Sequence, residues 1–216
     1  MMVLNRRGLA GIAAMALLLG ACGQADDRGA GAPAGDTTSG AGTGTALAPA
    51  QEEFWAALGG LCGEAYEGRL VEAPAGDTTF AGKRLVMHAR ECEGDVIRIP
   101  FHVGDDRSRT WVLTRTGDGI RLKHDHRHED GSEDEVTMYG GDTATPGTAT
   151  SQEFPADQHT ADLIPAAATN FWTVEVVPGE VFAYALRREG TDRRFRIEFD
   201  LTRPVPPPPA PWGFED

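Results

Sequence analysis

Trp111-Val112-Leu113-Thr114-Arg115-Thr116-Gly117-Asp118-Gly119-Ile120-Arg121-Leu122-Lys123 is the stretch that decides the fold. Side chains on an extended strand alternate between its two faces, so Trp111 and Leu113 share one face. Gly117-Asp118-Gly119 is a hairpin signal, because a tight return needs residues that tolerate positive φ. Beyond it Ile120 and Leu122 resume the apolar face, with Arg121 and Lys123 opposite. Two half-buried strands and a short turn point to an antiparallel sheet with one face dry and one wet.

The same period of two runs outward from this hairpin. Upstream, Leu85, Met87 and Ala89 alternate with Val86, His88 and Arg90. Ile97, Ile99, Phe101 and Val103 alternate with Arg98, Pro100 and His102, which are expected to face water or a rim. Downstream come Val136 and Met138, then Trp172, Val174 and Val176. Phe182, Tyr184 and Leu186 follow, and Phe195, Ile197, Phe199 and Leu201 close the series. One helix precedes the strands, with Phe54, Ala57, Leu58 and Leu61 at helical spacing. The prediction is an all-β domain of roughly seven to nine antiparallel strands after one short N-terminal helix. Sequential hairpins favour a meander closing into a barrel, since closure removes sheet edges; a β-sandwich is the alternative. Residues 140–170 are rich in Gly, Thr, Ala and Pro and carry no strand pattern. They read as one long connection, a lid or a floppy insertion.

The most unusual run is Lys123-His124-Asp125-His126-Arg127-His128-Glu129-Asp130. His124, His126 and His128 share the parity of Ile120 and Leu122. A regular strand would therefore turn all three inward, to the mouth of a barrel, and turn Arg121, Lys123, Asp125, Arg127 and Glu129 outward. Imidazole suits transition metals, so this strand is a candidate site for Zn, Cu or Ni, with His102, Glu133 or His159 as further ligand or rim. The competing reading is a polar strand end bonded to acids and water. The acidic turn Glu129–Glu135 lacks the spacing of a calcium loop. Ser108, Ser132 and Ser151 have no nucleophile-elbow setting, and no catalytic constellation stands out.

The chain carries 33 acidic and 20 basic side chains, net −13. Such a charge repels nucleic-acid phosphates, so no nucleic-acid partner is expected. Cys62 and Cys92 form an even pair that an oxidising compartment would join; in the chain-entropy model the bridge stabilises by roughly 3–4 kcal/mol. The terminal Pro204–Asp216 run is rich in proline and carries Trp212 and Phe214. It is expected to lie as a stiff strap on the body.

At the other end, Arg6-Arg7, the apolar stretch Leu9–Leu19 and Leu19-Gly20-Ala21-Cys22 resemble a bacterial lipoprotein signal. The apolar run is shorter than the roughly 20 residues a spanning helix needs. The resemblance implies removal of residues 1–21 and acylation of Cys22, leaving 33 acids against 18 bases, net −15. It implies a cell-envelope protein held on the membrane by lipid. Gly23 resembles the outer-membrane sorting default of Gram-negative lipoproteins, facing periplasm or cell surface. Residues 22–50, poor in anything that could bury, are expected to tether a body spanning 51–203, with a coil span of roughly 30 Å.

Helix first and meander after resembles a lipocalin or calycin-type barrel, a likeness of architecture alone. Ile99–Gly104, Ser108–Trp111 and the histidine run together resemble a set of uncharacterised bacterial secreted proteins and lipoproteins; no activity comes with that likeness. Three functional readings stand at this level. One is a non-enzymatic module binding a small ligand or envelope partner at the barrel mouth. The others are a metal-handling or metal-dependent protein and a structural lipoprotein.

Overall fold

A computed structural model describes residues 46–215, which fall within one compact unit, Gly42–Asp216. Cys22, the signal and most of the expected tether lie outside the described residues. The body begins earlier than the sequence suggests. Leu47 is already buried, and helix α1 spans Pro49–Gly59. Its first turn is closed by the Gln51 side chain, which accepts from the Ala48 N–H.

Eleven strands follow. They are β1 (Ala65–Glu72), β2 (Leu85–His88), β3 (Glu91–Glu93), β4 (Val96–Val103), β5 (Asp106–Thr116) and β6 (Gly119–His126). Then come β7 (Tyr139–Asp142), β8 (Ser151–Pro155), β9 (Asn170–Val177), β10 (Val181–Arg188) and β11 (Arg194–Val205). A short helix, α2 (Gln158–Leu163), and a helical turn at Pro165–Ala167 separate β8 from β9. Every pairing is antiparallel, in the order β7-β6-β5-β4-β2-β1-β11-β10-β9-β8, with β3 added beside β4.

Each neighbour in that order is next in sequence, except where β2 pairs β4 past the short β3 and where β1 pairs β11. That pairing joins the ends of the meander, so the sheet is a nearly closed barrel, not a sandwich. The central hairpin forms as expected, and it sets Trp111 opposite His124 and Leu113 opposite Leu122. The alternating residues named from sequence fill the interior: Ile97, Ile99, Phe101, Leu113, Ile120, Val174, Phe182, Ile197 and Phe199 are all buried. Cys62 and Cys92 form the disulfide, with Cα atoms 6.1 Å apart, and tie the segment after α1 to β3.

The seam of the barrel lies where sequence reading saw only a long connection. Residues 140–170 hold most of β7 and all of β8 and α2, and Phe154 is fully buried. Small residues there permit close approach instead of marking flexibility. A Cβ on Gly141 would lie 1.8 Å from the Pro155 carbonyl oxygen. Gly140 has φ +148°, and a Cβ there would lie 2.0 Å from the Leu122 oxygen. The seam is stitched by the Asp157 N–H donating to the Gly140 carbonyl (2.9 Å). The Thr160 hydroxyl both accepts from the Gly140 N–H (2.7 Å) and donates to its carbonyl (2.8 Å).

Val136 and Met138, expected on a strand, are exposed in an irregular loop. Met138 sits at φ 55°, which breaks extended backbone. Helix α1 packs at the end of the barrel where β5 turns into β6. Gln51 donates to Thr143, Glu52 pairs with Arg115, and the Arg115 guanidinium lies 5.8 Å from the Trp55 ring. The opposite end is where β6 finishes and β9 begins, and there the core is not filled.

Candidate functional site: the open end of the barrel

A cavity of about 300 Å³ occupies that end. Seven of the strands supply its wall: Phe101 from β4, Arg109 and Trp111 from β5, His124 and His126 from β6, and Tyr139 from β7. Asn170 and Trp172 of β9, Tyr184, Leu186 and Arg188 of β10, and Phe195 of β11 complete it. Two segments outside the sheet cover the opening. In the β1–β2 connection the Asp77 carboxylate accepts from the N–H groups of Phe80 (2.9 Å) and Ala81 (3.0 Å). This holds a turn that drives Phe80 inward, 5.2 Å from the Phe195 ring and 5.8 Å from Phe101. From the other side Ile164 and Ala167 reach over from the segment after α2.

The floor is aromatic. Trp111 lies 4.4 Å from Tyr184 and stacks on Phe101 at 4.7 Å, centroid to centroid. His124 stacks on Tyr139 at 4.5 Å, with planes 9° apart, and sits 5.1 Å from Trp172. The polar atoms of this floor are uncharged. His124 Nδ1 lies 3.0 Å from the backbone carbonyl of Tyr139, and a carbonyl only accepts, so Nδ1 carries the proton. Nε2 then accepts from the Tyr184 hydroxyl at 2.5 Å. His126 Nε2 lies 3.2 Å from the Tyr139 hydroxyl.

Burial sets the charge states. It disfavours the imidazolium at His124, lowering its pKa to about 3 even though the bond to the Tyr139 carbonyl opposes the shift. Burial and then the nearby Arg109 charge lower His126 to about 4. Burial raises the Tyr139 phenol to about 12 and raises Tyr184 too. At neutral pH the floor therefore presents neutral imidazoles and protonated phenols.

The histidine run is divided by the structure. His124 and His126 line the cavity as strand parity predicts. β6 ends at His126, so His128 leaves the strand and lies exposed, 3.7 Å from Glu135. Both His124 nitrogens are already engaged. Among the described residues the His and carboxylate groups brought within ligand distance of one another are instead His128, Asp134 and Glu135, on the outside of the domain. Glu133 is exposed and pairs with Arg127 at 3.7 Å, and His159 is exposed on α2. The outward residues pair with neighbouring charges: Arg121 with Asp142, Lys123 with Asp157, and Arg127 with Asp125.

His102 faces out of the barrel, not into the cavity, yet it is buried. The C-terminal segment covers it: His102 shares a crevice with Pro208, Pro209 and Trp212. That segment is held by the Arg107 carbonyl, which accepts from the Trp212 N–H (3.2 Å), and by Arg127 over the Phe214 ring (5.4 Å). Burial first, and then the Arg107 charge, lower the His102 pKa to about 4.

Sequence reading missed Asp77, Phe80, Tyr139, Ala167, Arg188 and Arg193. Two of these were within reach. Phe182, Tyr184 and Leu186 fix the inward parity of β10, and continuing it by two residues gives Arg188. Counting back from Phe195 gives Arg193 in the same way. Asp77, Phe80 and Ala167 come from connections, where no period exists to extend, and Tyr139 opens β7, whose two glycines leave no period to read. No protein-family model, curated protein or solved structure matches the chain.

Proposed function

We propose that this is a lipid-anchored cell-envelope protein whose barrel binds a small, flat, largely apolar ligand at its open end. The observation that supports this most is the aromatic cavity left in an otherwise filled barrel. Ligand sites are concave, mostly apolar, and carry a few convergent polar groups. A volume of about 300 Å³ lies at the small end of the range for such sites, which limits the ligand to one or two fused rings. Two covering segments, each pinned by its own hydrogen bonds, give the ligand a way in without opening the sheet.

The test is a titration of residues 42–216 with acedan, a small neutral naphthalene dye whose emission shifts to the blue on leaving water. One saturable site is expected. Ala167 is buried on the cavity wall, so Ala167→Trp should fill the space and weaken binding at least about tenfold, with little change in Tm. Dye binding that Ala167→Trp leaves unchanged would place the site elsewhere and refute the reading.

The address rests on the Leu19-Gly20-Ala21-Cys22 motif and the charged, apolar leader before it. In cells the protein is expected to fractionate with membranes and to incorporate an alkyne-labelled fatty acid. Cys22→Ala should abolish the label; persistence of the label would remove Cys22 as the anchor.

A further inference from the structure

The charge of the opening contradicts the charge of the chain. Against a net −13 overall, the cavity wall holds Arg109, Arg188 and Arg193 and one carboxylate, Asp77. Asp77 is committed to the N–H groups of its own turn. Burial raises its pKa, but those bonds, aided by the Arg193 charge, outweigh burial and hold it ionised. Arg109 is committed to Asp106.

Arg188 and Arg193 differ from most arginines of the body. Arg69, Arg84, Arg98, Arg115, Arg121 and Arg196 each pair with a carboxylate. So do the immediate neighbours on the same hairpin, Arg187 with Glu153 and Arg194 with Glu72. Those two point away from the opening. Arg188 and Arg193 turn toward it, and among the described residues no carboxylate lies within ion-pair distance of either. Arg188 is instead oriented by a neutral partner, its Nε donating to the Asn170 side-chain oxygen at 2.8 Å. Burial and the neighbouring Arg193 charge both lower the Arg188 pKa. Two guanidiniums near enough for one charge to act on the other thus line the opening, and among the described residues neither has a carboxylate at ion-pair distance. A bound carboxylate supplies what is missing, through charge-assisted and often bidentate hydrogen bonds.

We propose that the ligand is a small aromatic carboxylic acid, its carboxylate held by Arg188 and Arg193 and its ring laid on the floor formed by Trp172, Tyr139 and Tyr184. This rests on the ligand-binding reading above and adds the chemical class of the ligand. A flat ring matches aromatic walls that accept offset stacking.

The test compares two probes of the same shape, 2-naphthoate and 2-naphthalenemethanol, by calorimetry on residues 42–216 and on the double variant Arg188→Gln, Arg193→Gln. The acid is expected to bind at least about tenfold tighter than the alcohol. The double variant should bring the acid down to the alcohol's affinity and leave the alcohol unchanged. Equal binding of the two probes to the unaltered protein, or a preference that survives in the double variant, overturns the proposal and leaves a neutral-ligand site standing. Binding of neither probe overturns both this proposal and the ligand-binding reading. Near-UV circular dichroism confirms the variant's fold, which involves no ion pair of either arginine.

Discussion

Lowering the pH from 7 to 5 is expected to remove about 5 kcal/mol of stability, a large share of the roughly 5–15 kcal/mol that a folded domain has. His102, His124 and His126 carry the effect. Their folded pKa values, about 4, 3 and 4, lie below the unfolded value near 6.5. Between those limits the unfolded chain binds protons that the folded one refuses. Stability is therefore full above pH 6.5 and is lost as pH falls toward 4. Each histidine contributes up to about 1.4 kcal/mol per pH unit in that window, so three give a slope of about 4. His88, lowered chiefly by burial, adds in the same direction. Few carboxylates interfere, because they titrate lower in both states. Urea unfolding at pH 7, 6 and 5 measures the slope. A value no larger than one histidine provides would mean that these imidazoles are not buried as described.

Gly141→Ala is expected to cost about 4–6 kcal/mol, a fall in Tm of roughly 10–20 °C for a domain this size. The backbone at Gly141 is ordinary, so the effect is one of contact. The added methyl would lie 1.8 Å from the Pro155 oxygen and 3.2 Å from the Asp157 nitrogen. Both are backbone atoms and cannot swing aside. β7 must then part from the β8–α2 segment. The seam bonds between Gly140, Asp157 and Thr160 go with it, and each buried group left unpaired costs about 1–3 kcal/mol. Gly59 is the control: a Cβ there meets nothing within 4 Å, so Gly59→Ala should be neutral or slightly stabilising. A Gly141→Ala protein melting within about 2 °C of the original would show that the seam is open in solution.

These two results probe the parts of the molecule that sequence described best and worst. The interior was legible because period two survives wherever one face is dry. The parity of Ile120 and Leu122 carries over to His124 and His126 and turns both inward. The seam was not legible. Glycine in a strand has no side chain to declare a face, so Tyr139–Asp142 resembled loop composition although its glycines are there for closeness. His128 was misplaced for a related reason: parity holds only while the strand lasts, and β6 ends two residues earlier. His102 was placed correctly on the outer face, but its burial under Pro208, Pro209 and Trp212 depends on a segment more than a hundred residues away. The unpaired arginines needed the whole ion-pair map, since what distinguishes Arg188 from Arg187 is the absence of a partner such as Glu153.

If the open end of the barrel is a ligand site, a crystal structure of residues 42–216 grown with 2-naphthoate will show the ring against Trp172 and Tyr139 and the carboxylate between the guanidiniums of Arg188 and Arg193. A cavity filled by Phe80 and the turn around Ala167, with the acid bound elsewhere or not at all, would contradict it.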